Sequence, residues 1–209
     1  MAARTRRPMR REPSQERSRA MVRRILDAGY EVLLEHGYDR ASTGRIAAAA
    51  GISPGSLYQY FPDKHVLLGE VVDRCADRLR TRISRAFVAN LAGGSLPDAV
   101  RGNVLALITA FEENAGLLRV LYEQLPPNAD TRRADFKHRI DELVTTALLG
   151  YLPGGARADA VAWVLVRTVE NLAISYVLDP PEVDREDAVE EITALLTGYL
   201  ATRLDPERR

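Results

Sequence analysis

The segment Thr43–Lys64 reads TGRIAAAAGISPGSLYQYFPDK and holds the chain's most informative polar groups. Ile46, Ala50, Ile52, Leu57 and Phe61 can be set aside as a small internal core. The second half of the segment then presents Pro54, Gly55, Ser56, Tyr58 and Gln59. That surface is small, polar and free of acid at its N-terminal end, so it can approach a phosphate backbone without repulsion. A glutamine amide sets a donor beside an acceptor, and Gln59 can therefore read a base edge in the major groove. The chemistry on offer is recognition of a polyanion.

Reaction chemistry is much less well represented. No GxxxxGK[ST] or GxGxxG is present, and His36, His65 and His138 lie far apart with no metal-ligand partner at helical spacing. The single cysteine, Cys75, excludes an internal disulfide and an all-cysteine metal cage. It falls on an apolar helix stripe and reads as inert core. Glu112-Glu113, Asp141-Glu142 and Glu190-Glu191 read as solvated faces rather than catalytic pairs. The expectation is a protein that is not an enzyme and has no metal or cofactor.

The elements that must position the 43–64 segment are helices. Met21, Ile25, Ala28 and Val32 mark one face of a first helix, which Gly37 ends. Thr43 is a good N-cap for a second helix running to Ala49 or Ala50. Gly51 then supplies the positive φ of a tight turn. Ser53 caps a third, short helix with Pro54 at its first position, and that helix closes near Tyr60 because Pro62 follows. Ala47 lies where the second and third helices cross closely. This is a helix-turn-helix. Asp63 caps a fourth helix with the stripe Leu68, Val72, Cys75, Leu79, Ile83. Further helices are expected over 98–113, 115–124, 131–151, 158–178 and 185–203, separated by Pro and Gly clusters. No segment alternates like a strand, so the chain reads as all-α with about nine helices.

With 209 residues, 46% of them hydrophobic and 28% charged, the chain can bury a core without staples. Its zero net charge hides a segregation. Residues 1–65 carry 12 Lys and Arg against 7 Asp and Glu, and residues 66–209 carry 17 against 22. A basic head on an acidic body suggests that the head meets the polyanion. Residues 1–14, with Arg4, Arg6, Arg7, Arg10 and Arg11, read as a disordered basic arm. Residues 15–65 then form the helix-turn-helix domain and 66–209 a second domain. No uninterrupted apolar run reaches the roughly 18 residues of a membrane span. The N-terminus does not read as a secretion signal, and a reducing cytoplasm suits the lone thiol.

IAAAAGIS, LYQYF and the PDK that follows, with HGYDRAS before them, resemble the DNA-binding segment of TetR-type regulators over roughly residues 20–70. The resemblance implies that Thr43 and Arg45 contact backbone phosphates. Ser53, Gly55 and Ser56 bring the recognition helix's N-terminus to the groove, where its dipole favours phosphate. Gln59 would be the main base reader, with Tyr58 and Tyr60 setting hydroxyls on phosphates and Lys64 neutralising one. The alternatives are a Tyr60 packed inward and an Arg45 paired with Asp39. The arm would follow the adjacent minor groove or the backbone.

Residues 160–178 are apolar almost all round, as a helix buried on more than one side would be. The last helix adds Val189, Ile192, Leu196 and Tyr199, with Gly198 allowing close approach. These two helices are expected to form a four-helix homodimer interface, as the resemblance also implies. A palindromic operator needs two recognition helices about 34–36 Å apart. Trp163, Arg167, Glu170, Asn171 and Ile174 fall near one face. With Phe111, Tyr122 and Phe136 they could line a small-molecule pocket. The alternative is an internal Arg167–Glu170 pair or a bridge across the dimer, with the aromatics as core. The leading expectation is a homodimeric repressor released from double-stranded DNA by a small molecule. The alternatives are a DNA-binding regulator without such an inducer, or an all-α carrier or enzyme with an incidental helix-turn-helix.

Overall fold

Side-chain caps mark where several of the helices begin. The computed structural model describes residues 13–92, 94–124, 142, 144–146, 149 and 158–204, and every regular element among them is helical. In chain order these are α1 (Pro13–Arg40), α2 (Thr43–Ala49), α3 (Pro54–Tyr58), α4 (Lys64–Leu91), α5 (Leu96–Glu113), α6 (Ala115–Arg119), a π-helical turn (Val120–Gln124), α7 (Ala158–Leu178) and α8 (Arg185–Leu204). The all-α expectation holds for these nine elements. The arm and most of the helix expected over 131–151 lie outside the described residues.

The chain divides into two compact units between Val72 and Asp73, inside α4, rather than at the 65/66 boundary expected from charge. Leu67, Leu68, Val71 and Val72, all buried, carry the first unit past that point. In this unit α1 contributes Ile25, Leu26, Val32 and Leu33, α2 contributes Ile46 and Ala47, and α3 Leu57. Gly29 marks the tightest approach. A Cβ there would lie 2.7 Å from Val71 Cγ2 and 3.9 Å from Ile46 Cδ1. α1 leaves helical geometry at Gly37, where φ is 74°, and makes one more turn to Arg40.

In the second unit α5 packs on α7 and α8, and α6 on α7. The core includes Ile108, Phe111, Leu118, Ala162, Leu165, Val189 and Leu196. Pro97 sits inside the first turn of α5, where its missing N–H costs nothing. Ser95 and Asp98 close a capping box around it. Glu112 and Glu113 are not merely solvated: Arg185 Nε donates to Glu112 at 3.0 Å and Arg82 pairs with Glu113. α7 is long and apolar enough to cross a membrane by length and composition alone. It serves here as a core helix, burying Val161, Ala162, Leu165, Val166 and Ala173.

Candidate functional site

Two local devices build the helix-turn-helix. Ser42, rather than Thr43, caps α2, its hydroxyl accepting the Arg45 N–H at 3.3 Å. Thr43 becomes the first helical residue because its hydroxyl is used elsewhere, 3.1 Å from the Tyr58 hydroxyl on α3. Gly51 has φ 64°, and the Ile52 N–H reaches Ala47 O at 3.0 Å, which closes the turn. Ser53 then caps α3 by accepting the Ser56 N–H at 3.1 Å, while the two hydroxyls lie 2.9 Å apart. Regular helix stops at Tyr58, and the Tyr60 and Phe61 N–H groups both bond the Leu57 carbonyl ahead of Pro62. Ile46, Ala50, Leu57 and Phe61 are buried, as the spacing predicts, and Ala47 with them, whereas Ile52 is only half-buried.

The polar residues of this unit fall into an exposed set and a braced set. Ser53, Pro54, Gly55 and Gln59 are exposed, and Tyr58 is 50% exposed. Ser56 and Tyr60 are half-buried. Arg45 does not pair with Asp39. Its guanidinium donates to the Arg40 carbonyl at 2.7 Å, and the side chain is left exposed. Lys64 Nζ donates to the Asp39 carbonyl at 2.9 Å and lies 5.4 Å from the Tyr38 ring centroid. Both partners of Lys64 are uncharged, so its full positive charge stays at the start of α4. Asp63, the nearby acid, is occupied with the N–H groups of His65 and Val66 at 2.7 and 2.9 Å.

The second unit contains a cavity of about 150 Å³. Ile83 and Phe87 of α4, Leu107 and Phe111 of α5, Leu165 of α7 and Leu196 of α8 supply apolar wall. Among the described residues its polar edge is Arg167, Glu170 and Asn103. Glu170 is only 5% exposed and pairs with Arg167 one turn before it. Tyr122 donates its hydroxyl to the same carboxylate at 3.0 Å. The internal Arg167–Glu170 pair is thus formed, and Phe111 and Arg167 line the cavity.

The other expected wall residues fall elsewhere. Trp163 is 58% exposed and does not line the cavity, although Arg167, four residues on, does. Asn171 is exposed and donates to the Arg167 carbonyl at 2.6 Å. Tyr122 stands behind Glu170 rather than on the cavity wall. Phe136 lies outside the described residues. Sequence reasoning missed Ile83, Phe87, Leu107 and Asn103. Only Asn103, a polar residue on the apolar stripe of α5, offered a signal. It accepts from Asn90 at 2.9 Å.

Comparison with known proteins agrees with this division. The family pattern described as bacterial regulatory proteins, tetR family, matches residues 25–71. The pattern described as tetracyclin repressor-like, C-terminal domain, matches residues 95–200. The HTH-type transcriptional regulator AlkX of Mycobacterium tuberculosis is 28% identical over 197 residues, covering 92% of this chain and 91% of its own. The regulator YdgC of Bacillus subtilis is 26% identical over 182 residues, covering 85% and 92%. The crystal structure of a TetR-family regulator from Mesorhizobium loti shares the fold, with a TM-score of 0.73 at 20% identity over 89% of this chain and 98% of that one.

Proposed function

Because this chain belongs to the TetR family of helix-turn-helix transcriptional regulators, whose members bind double-stranded DNA as dimers, we propose that it is a homodimeric repressor of a palindromic operator, released by a small molecule. The observation that carries the reading is the exposed face of α3, capped by Ser53, with Gln59 open and no acid at its leading end. Gln59 reads a base edge, and Ser53, Pro54, Gly55 and Ser56 bring the α3 N-terminus to the groove. Thr43, Arg45, Tyr58, Tyr60 and Lys64 hold the backbone on either side. Residues 1–14 add an Arg-rich arm.

Dimerisation through α7 and α8 is supported by the apolar groups these helices leave uncovered. Trp163 and Leu172 stand on α7 and Leu195 on α8, while Gly198 has nothing within 4 Å of where a Cβ would be. The effector occupies the cavity behind Phe111. It must bind the DNA-incompetent arrangement more tightly, since equal affinity for both shifts nothing. α4 runs through both units and is the element whose position the effector would bias.

The test is binding to the DNA upstream of the protein's own gene against a scrambled duplex, across a salt series. A preference of about a thousandfold or more, with two subunits per site, is expected. Equal and steeply salt-dependent binding to both duplexes would refute sequence-specific repression at this site.

A further inference from the structure

We propose, resting on the effector reading of this cavity, that its ligand is a straight alkyl chain of about ten carbons, carried by an alcohol or a carboxylate, and that branched molecules of equal carbon number are disfavoured. The lining residues fix a shape as well as a volume. A compact void of about 150 Å³ would be about 7 Å across and would touch little more than one turn of a helix. This cavity instead follows α5. Leu96, Val100, Asn103, Leu107 and Phe111 line it at i, i+4, i+7, i+11 and i+15, one stripe whose ends lie about 22 Å apart. Ile83, Phe87 and Leu91 line it from α4 on successive turns, over about 12 Å. Spread along these stripes, the same volume is a slot about 6–7 Å wide.

Two contacts hold α4 and α5 at this separation. Asn90 Nδ2 donates to Asn103 Oδ1 at 2.9 Å, and Arg82 pairs with Glu113. Gly102 admits the first of them, since a Cβ there would lie 2.9 Å from Asn90 Cγ. Widening the slot for a broad ligand breaks one contact or the other. A chain one methylene thick asks for no widening. Taking about 5 Å of side-chain reach from each end of the α5 stripe leaves about 12 Å, which agrees with the span on α4. An extended chain advances about 1.25 Å per carbon, so about ten carbons fill that length. The walls facing them are aliphatic and aromatic except at the polar edge. Each methylene buried there is worth about fourfold in affinity. A branch point meets the side of the slot instead.

The test is calorimetric titration of the full-length protein with the 1-alkanols from hexanol to dodecanol and with the matching carboxylates. The branched isomers 2-propyl-1-pentanol and 2-propylpentanoate are compared with 1-octanol and octanoate. Affinity should rise about fourfold per methylene and level off near decyl. The straight eight-carbon compound should bind at least about tenfold more tightly than its branched isomer. Val100→Trp fills the slot between Leu96 and Asn103 and should shorten the best chain by about two carbons or more. Should that variant not fold, the wild-type series alone decides. Binding in either series supports the proposal, and the series that binds identifies the source of the chain. Affinity still rising at dodecyl, a branched isomer as tight as the straight one, or no binding in either series overturns it. Operator release is followed in the same samples. Chain binding without release leaves the ligand class standing and removes the inducer role. Release by a branched isomer alone overturns the ligand class and keeps the inducer role.

Discussion

Gly29→Ala is the most informative single change in the DNA-binding unit. On an open helix surface it would stabilise, because alanine exceeds glycine in helix propensity by about 1 kcal/mol. Here the added Cβ meets Val71 Cγ2 at 2.7 Å, about 1 Å inside ordinary carbon contact distance. Val71 is 1% exposed and β-branched on a helix, so it has no alternative rotamer to turn into. Overpacking of this kind costs about 1–3 kcal/mol. The net effect expected is a loss of about 1 kcal/mol. Val71→Ala removes the opposing methyl at a cost of about 2 kcal/mol of its own. In that background Gly29→Ala should gain about 0.5–1 kcal/mol, its sign reversed. Urea unfolding of the four proteins at one protomer concentration measures the cycle, since dimer stability depends on concentration. The same change in stability from Gly29→Ala in both backgrounds would refute the packing argument.

Three other outcomes follow from the same geometry. Lys64→Ala should weaken binding to every duplex alike and lower the salt slope by about one unit, as titrations at several salt concentrations would show. Leu195→Asp sets a charge on the proposed dimer face and should weaken self-association by about 2 kcal/mol or more, turning dimer into monomer in sedimentation while helix content is unchanged. The Asp98 carboxyl is held below its usual range by the Ser95 hydroxyl and then by the Ser95 N–H. That contribution is complete above the ordinary aspartate range and disappears as pH falls through the lowered value, so Asp98→Asn should flatten the acid side of the stability profile.

The helix-turn-helix was readable from the chain because its determinants are local. Ser53, Pro54, Gly51 and Asp63 act within a few residues of themselves, and the apolar spacing of Ile46, Leu57 and Phe61 needs only helical periodicity. The cavity was not readable in the same way. Ile83, Phe87, Leu107 and Leu196 come from three helices and look like any other core stripe until those helices pack. Trp163 illustrates the difficulty. It shares a near-continuous apolar helix with Leu165 and Val166, and a helix apolar all round does not say which side faces inward. Arg185 and Glu112 meet across an interval that no local pattern spans.

The bracing of Lys64 also bears on when disorder is lost. A free lysine side chain gives up about 1.5–2 kcal/mol of rotamer freedom on being immobilised. Here the Asp39 carbonyl and the Tyr38 ring hold the ammonium before any nucleic acid arrives. That loss is therefore incurred once, during folding, and association is left with little entropy to surrender at this position. Gln59, exposed, would be ordered only on the contact proposed for it. Two neighbouring contacts in one interface would thus differ in thermal signature, one dominated by counterion release and the other by side-chain ordering.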